Sequence, residues 1–271
     1  MTEPVEVGIG PDGPDGDEGP EERVARFTAR SVLASALLGE HPPELPVSHL
    51  VHLSGLFGIT GNRARVALSR MVASGEATTD GSGRYRLAGH LLERQARQRE
   101  GLVGDTRSWQ GGWRLVVVTA TGRSAGRRSA RRRRLVLARL AEQREGFWLR
   151  PDNLDLRPDP SGDADLAVYS GVPDADPVLL TSDLWDLAGW AARAERLRRR
   201  LETTVTAGPD DLAPGFALSA AVIRHLLADP LLPSELLGRA WPGPALREAY
   251  GLWDRDYRRV LRAWGRAAGP A

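Results

Sequence analysis

Asn62, Arg63, Arg65, Ser69 and Arg70 place three guanidiniums, one carboxamide and one hydroxyl within nine consecutive residues. These are groups that read nucleic-acid base edges. Arginine pairs bidentately with guanine O6 and N7, asparagine with adenine N6 and N7, and each such pair discriminates by about 1–3 kcal/mol. Reading requires them on one surface. At about 100° per residue, a helix puts Asn62, Arg65, Val66, Ser69 and Ala73 on one side, flanked by Arg63 and Arg70. Ala64, Ala67, Leu68 and Met71 fall on the other side, with Val72 at its edge. Taken alone, the same pattern also describes an ordinary amphipathic helix with a solvated basic face.

The flanking residues supply what such a helix needs. Thr60 is placed to cap a helix running to about residue 74, and Gly75 to end it. Before it, residues 47–54 carry Val47, Leu50, Val51 and Leu53 at helical spacing, and Gly58 breaks the pattern. After it, residues 76–79 are β-prone, residues 80–83 (Asp-Gly-Ser-Gly) are turn chemistry, and residues 84–87 alternate like a strand. Helix, turn, helix and hairpin in this order are the signature of a winged helix-turn-helix. The expected DNA contacts are Thr60, Asn62, Arg63, Arg65, Val66, Ser69 and Arg70 on the helix, with Arg84, Tyr85 and Arg86 on the hairpin. The hairpin arginines would follow the sugar-phosphate backbone and Tyr85 would pack inward or stack. A plain surface hairpin is the alternative.

Charge is distributed unevenly. All 37 basic residues are arginine and the net charge is only +2. Residues 1–22 hold eight acids and no base, a composition expected to stay disordered. Residues 23–144 hold 22 arginines against eight acids, a net of 22 − 8 = +14, and residues 145–271 hold 15 against 19, a net of 15 − 19 = −4. The basic segment coincides with the expected DNA-binding module and its neighbour, as an electrostatic footprint on phosphate should. The block of Arg127, Arg128 and residues 131–134 reads as a solvated helix face, with non-specific contact to flanking DNA as the other reading.

Composition also excludes chemistry. There is no cysteine, hence no disulfide, thiolate catalysis or Cys-based zinc site. No apolar run approaches the ~18 residues that span a bilayer. The N-terminus lacks a signal-peptide pattern, so a soluble cytoplasmic protein without membrane partners is expected. Histidines 41, 49, 52, 90 and 225 show no metal-ligand spacing backed by acids; His49 and His52 read as a structural pair on a core helix. No phosphate-cradling glycine loop or Ser/His/Asp arrangement stands out. The expectation is a non-enzyme with no catalytic residue, metal or cofactor.

The remaining elements give an α+β, mostly helical fold. A first helix covers residues 24–39, the prolines at 42, 43 and 46 make a stiff loop, and residues 91–100 form a basic connecting helix. Residues 113–120 read as a strand, 124–143 as a helix, 147–149 as a short strand and 165–170 as another. This β-α-β…β unit is close to a reduced ferredoxin-like fold. Helices are expected at 183–205, 216–227, 234–237 and 244–265. The expected division is an acidic tail (1–22), the winged helix-turn-helix (23–88), a linker helix and linker (89–112), the ferredoxin-like unit (113–181) and a helical C-terminal domain (182–271). All eight tryptophans lie beyond the winged helix-turn-helix, available to cores, a subunit interface or a ligand pocket.

Three ordered motif blocks resemble the PaaX-type transcriptional repressors, over roughly residues 28–265. The first is Leu56-Phe57-Gly58-Ile59 followed by Arg65-Val66-Ala67-Leu68-Ser69-Arg70-Met71-Val72 and Gly75. The second is Trp109-Gln110-Gly111-Gly112-Trp113-Arg114-Leu115-Val116-Val117 with Gly146-Phe147-Trp148-Leu149-Arg150-Pro151-Asp152-Asn153-Leu154. The third is Leu184-Trp185-Asp186-Leu187, then Asp229-Pro230-Leu231-Leu232-Pro233-Ser234-Glu235-Leu236-Leu237, then Trp241-Pro242-Gly243. The resemblance implies a homodimeric repressor with a winged helix-turn-helix, a middle domain similar to the ferredoxin-like Cas2 fold and a helical C-terminal domain. It further implies a palindromic operator and release of DNA by an acyl-CoA, phenylacetyl-CoA in typical members. Arg65, Ser69 and Arg70 match the recognition helix, and residues 84–86 the wing.

The chain departs from the family in its short wing, in the short stretch between the middle helix and Phe147, which argues against a complete four-stranded sheet, and near His225, where only Ile223-Arg224 stands for an aromatic-plus-arginine pair. An acyl-CoA needs guanidiniums for its phosphates and an aromatic slot; Arg114, Arg150, Arg224, Trp109 and Trp185 are the candidates. The alternatives are core anchoring for the tryptophans and pairing of Arg150 with Asp152 or a neighbouring acid. A Cas2-like nuclease is the enzymatic alternative, but the end of the first strand reads Thr119-Ala120-Thr121, without a carboxylate. A protein-interaction module on residues 182–271 is the non-catalytic one.

Overall fold

Capping chemistry sets the first elements. The computed structural model describes residues 27–120 and 124–267, so the acidic segment 1–22 and the expected helix start at 24 lie outside the described residues. Thr28 Oγ1 accepts from the Ser31 amide at 3.1 Å and fixes the start of α1 (Ala29–Leu38). A strand β1 (Glu44–Pro46) follows, where the prolines suggested only a stiff loop. β1 forms one edge of its sheet, a place where proline's missing N–H is tolerated. Then come α2 (Val47–Gly55), α3 (Gly61–Ala73), β2 (Ala77–Thr79) and β3 (Arg84–Leu87). β3 is the centre of a three-stranded antiparallel sheet in the order β1-β3-β2. Leu33, Leu37, Leu50, Leu68, Met71 and Leu87 pack as one core beneath it.

α4 (His90–Val103) is longer than expected and ends at Gly104, φ +65°. A Cβ there would collide with the Arg247 guanidinium, so glycine serves both the left-handed turn and the close approach. The middle unit comprises β4 (Trp113–Val118), α5 (Ala125–Leu137), β5 (Ala141–Arg144), β6 (Phe147–Pro151) and β7 (Leu166–Gly171). Its sheet has four strands in the order β5-β6-β4-β7, every neighbour antiparallel. The helix expected to reach residue 143 therefore stops at Leu137: Arg139 adopts φ 60°, and the chain returns as the edge strand β5. Leu135 and Ala138 cover Val116 and Trp148 on one sheet face, while Leu180 and Leu236 cover Trp113 and Leu149 on the other.

The C-terminal third is α6 (Pro177–Leu184), α7 (Leu187–Thr203), α8 (Leu212–Leu227) and α9 (Gly243–Ala267). One helix was expected over 183–205; it is broken at Trp185-Asp186 because Asp186 turns its carboxylate back onto the Gly189 amide as a new cap, at 2.8 Å. The expected boundary at 181/182 thus falls inside α6. Residues 234–237 are a turn and not a helix. Trp190, Leu197, Val222, Leu246, Tyr250 and Trp253 form the core of this region. Leu102 of α4 packs against it, and the end of α9 reaches back to α2, where Trp264 stacks on His52 at 3.8 Å. The chain is α+β, with two small antiparallel sheets joined by helices that cross between them.

Candidate nucleic-acid interface

Two opposed demands on α3 position its polar residues. Ala64, Leu68 and Met71 are buried, and Thr60 Oγ1 caps the helix through the Arg63 amide. Burial of that stripe turns Asn62, Arg63, Arg65, Val66, Ser69 and Arg70 to solvent, all exposed. Among the described residues no carboxylate pairs with Arg63, Arg65 or Arg70. Ser69 Oγ donates to the Arg65 carbonyl at 3.1 Å, leaving its lone pairs outward. Thr28, Ala29 and Arg30 face this surface across a groove of ≈ 610 Å³ that Asn62, Arg63, Val66 and Arg70 also line. Glu76 lies beside it, gripped by Arg30 Nε at 2.8 Å and by Arg30 Nη2. That bond holds the Glu76 carboxyl below the usual range.

The hairpin forms where expected, but its arginines have a partner the sequence reading did not name. Arg84 and Arg86 are exposed, but both close on Glu44 of β1. β1 pairs with β3 so that Glu44 sits opposite Arg86. The Arg84 bond, then the Arg86 bond, pull the Glu44 carboxyl below its ordinary value. Tyr85 turns inward against the core under the sheet. Asp80 accepts from the Ser82 amide at 2.8 Å and shapes the tip. Glu44 escaped the sequence reading because its one signal, a lone acid among prolines, acquires meaning only through pairing 42 residues away.

The five ligand candidates are not brought together. Trp109 and Trp185 both pack on the Trp113–Leu149–Leu180–Leu236 cluster, and Trp109 Nε1 donates to the Gly112 carbonyl at 2.6 Å; they anchor a core. Arg114, on the opposite face of β4, bonds Ser170 Oγ at 3.0 Å. Arg224 is exposed on α8. Arg150 has no exposed surface. It donates to Asn153 Oδ1 at 2.9 Å, the Leu231 carbonyl at 3.1 Å and the Pro151 carbonyl at 3.1 Å. Burial, then the nearby Arg139, push its pKa down to about 9. Its partners are carbonyls and an amide instead of the expected acid.

That network extends to residues the sequence did not single out. Arg247 meets the buried Asp229 carboxylate at 2.7 Å and the Gly101 carbonyl at 2.9 Å, and Arg139 donates to the Leu227 and Asp229 carbonyls. The Asp229-Pro230-Leu231 bend is thereby tied to α4, β6 and α9 together. On α5, Arg131, Arg132 and Arg134 pair with Asp165, Glu142 and Asp163, as a solvated, partly neutralised face.

Two regions match family models, residues 28–91 the PaaX-like protein and residues 185–266 the PaaX-like protein C-terminal domain. The first spans the three-stranded sheet with α1 to α3, the second α7 to α9. A solved structure, the uncharacterized protein Rv0674 from Mycobacterium tuberculosis, is similar at 41% identity and a TM-score of 0.70, over 87% of this chain and 98% of that one. No curated protein matches the chain. Among the described residues no helix is long and apolar enough to cross a membrane. The chain belongs to the PaaX-like family, which suggests a regulator.

Proposed function

We propose that the protein is a DNA-binding transcriptional repressor, acting in the cytoplasm as a homodimer on a palindromic operator. The single observation that carries the reading is the exposed α3 face, where Arg63, Arg65 and Arg70 stand without an acidic partner among the described residues. In this reading residues 23–88 are a winged helix-turn-helix, α3 is its recognition helix and β2–β3 its wing. Arg pairs with guanine and Asn62 with adenine, and Val66, 43% exposed, offers an apolar contact to a thymine methyl. The two recognition helices of a dimer would meet half-sites ~34–36 Å apart.

The middle sheet supports a ferredoxin-like reading of that unit, since β4 and β5 run in the same direction with β6 between them, a split β-α-β. A nuclease reading lacks a carboxylate at the end of β4, where Thr119-Ala120 stand. The protein-interaction reading cannot draw on Trp190 and Trp253, which lie in the C-terminal region's own core. Release by an aromatic acyl-CoA thioester is carried over on family grounds alone.

Mobility shift on DNA adjoining the protein's own gene tests the reading. Arg65→Ala or Arg70→Ala, each on an exposed side chain, is expected to weaken binding by about 5- to 100-fold while leaving the circular dichroism unchanged. Unaltered affinity in both variants would contradict the assigned face.

A further inference from the structure

The groove on α3 is lined by Arg30, Arg63 and Arg70, and the chain carries an acidic segment in residues 1–22. Arg63 and Arg70 line the groove together with Thr28, Ala29 and Arg30, and Thr28 is joined through Phe27 to residues 1–26. Residues 1–26 therefore join the molecule at the groove's edge. The attachment point is fixed: the Phe27 ring meets Phe57 at 5.4 Å and Phe216 at 5.5 Å, edge-on to both. Upstream, residues 1–22 contain Glu3, Glu6, Asp12, Asp15, Asp17, Glu18, Glu21 and Glu22 and no basic residue.

Length permits contact. Glu21 lies six residues before Phe27, and six residues extend to about 20 Å. The 13 residues of α3 span a similar distance, about 20 Å at 1.5 Å per residue. The last acids alone thus reach along α3, and the earlier ones have ample chain. Charge matches as well: the segment has eight carboxylates, and the three arginines have no acid of their own among the described residues.

We propose that residues 1–22 dock on the exposed face of α3 in the same chain, contact Arg63, Arg65 and Arg70, and compete there with nucleic-acid phosphate. The docking stands on charge and reach; the competition rests on the DNA-binding reading. An extended segment of 22 residues carries about one charge per 9 Å, whereas duplex DNA carries one per about 1.7 Å. The duplex is the stronger polyanion, so the segment attenuates DNA binding and does not abolish it. Tethering gives the segment a millimolar effective concentration. Displacing the segment costs the same free energy whichever duplex binds, so the apparent affinities for the unrelated duplex and the operator fall by the same factor.

Because the chain has no cysteine, Asp17→Cys in the full-length protein accepts a single nitroxide label. At about 20 mM salt the label is expected to broaden the amide resonances of α3, and the broadening is expected to vanish at about 1 M, where the Debye length falls to ~3 Å. No broadening on α3 at low salt overturns the docking. So does broadening on another surface, or broadening seen only when label and observed nuclei sit on different molecules. In a second arm, the full chain and the chain from residue 23 onward are titrated with a duplex of unrelated sequence and with the operator. Removal of the segment is expected to raise affinity for the unrelated duplex and for the operator by the same factor, about fivefold or more. Equal affinities overturn the competition. Failure of both chains to bind any duplex overturns the DNA-binding reading and the competition with it, while the resonance arm decides docking by itself.

Discussion

Glu44 holds Arg84 and Arg86 through one carboxylate, which bears directly on the proposed contact of the hairpin with phosphate. A backbone phosphate must displace that carboxylate or share its arginines. Glu44→Gln is expected to raise duplex affinity several-fold and to steepen its salt dependence, because two guanidiniums become available for counterion-releasing contacts; fluorescence anisotropy at several salt concentrations measures both. Arg150 shows the opposite case, a charged group wholly committed to the interior. Arg150→Ala leaves Asn153 Oδ1 without its donor and removes one of the two donors to the Leu231 carbonyl, and a loss of about 2–4 kcal/mol in urea unfolding is expected. Residue type alone marked Arg150 as a ligand group. Its burial comes from Pro230 and Leu231, some 80 residues away, which no local pattern announces.

At the scale of elements, α3 was legible because every local signal agrees. Thr60 caps it, Ala64, Leu68 and Met71 repeat at helical spacing, and Gly75 follows at φ +72°. Thr60→Ala is expected to cost about 1 kcal/mol of stability, read as a lowered urea midpoint with an unchanged slope. β5 was not legible. The arginine run of α5 continues into Ala138-Arg139 with neither glycine nor proline to stop it, and Arg139 itself takes the left-handed conformation. The four-stranded sheet was missed for that reason alone. β1 was hidden for another: three residues, one a proline, gain strand character only from the register with β3. The break at Trp185 was visible in principle, since Asp186 three residues before Gly189 is a cap signal.

For the whole molecule, the long-range ties matter most. α4 was expected to be a linker, yet Arg247 of α9 bonds its Gly101 carbonyl and Leu102 packs on the C-terminal core. α4 and the stack of Trp264 on His52 thereby tie that core to the N-terminal helices. The same core contains a titrating group. His225 donates from Nε2 to the Trp190 carbonyl at 3.0 Å and stacks on that ring at 4.4 Å, and burial pushes its pKa from 6.5 down to about 4. The unfolded chain therefore binds a proton that the native protein refuses. Stability is fully present above pH 6.5 and falls as pH drops from 6.5 toward 4, by up to about 1.4 kcal/mol per pH unit. His225→Gln, which keeps a donor and cannot titrate, is expected to flatten that decline in thermal unfolding, though at lower overall stability.

The central claim is that the guanidiniums of α3 touch nucleic acid. Its most direct test is the slope of log K against log salt for duplex binding by the native chain, Arg65→Ala and Arg70→Ala. A steep negative slope for the native chain is expected, reduced by about 1 in a variant that loses a phosphate contact, or kept with lost sequence discrimination in one that loses a base contact. A flat line for the native chain, or three superimposable lines with equal discrimination, would contradict the account.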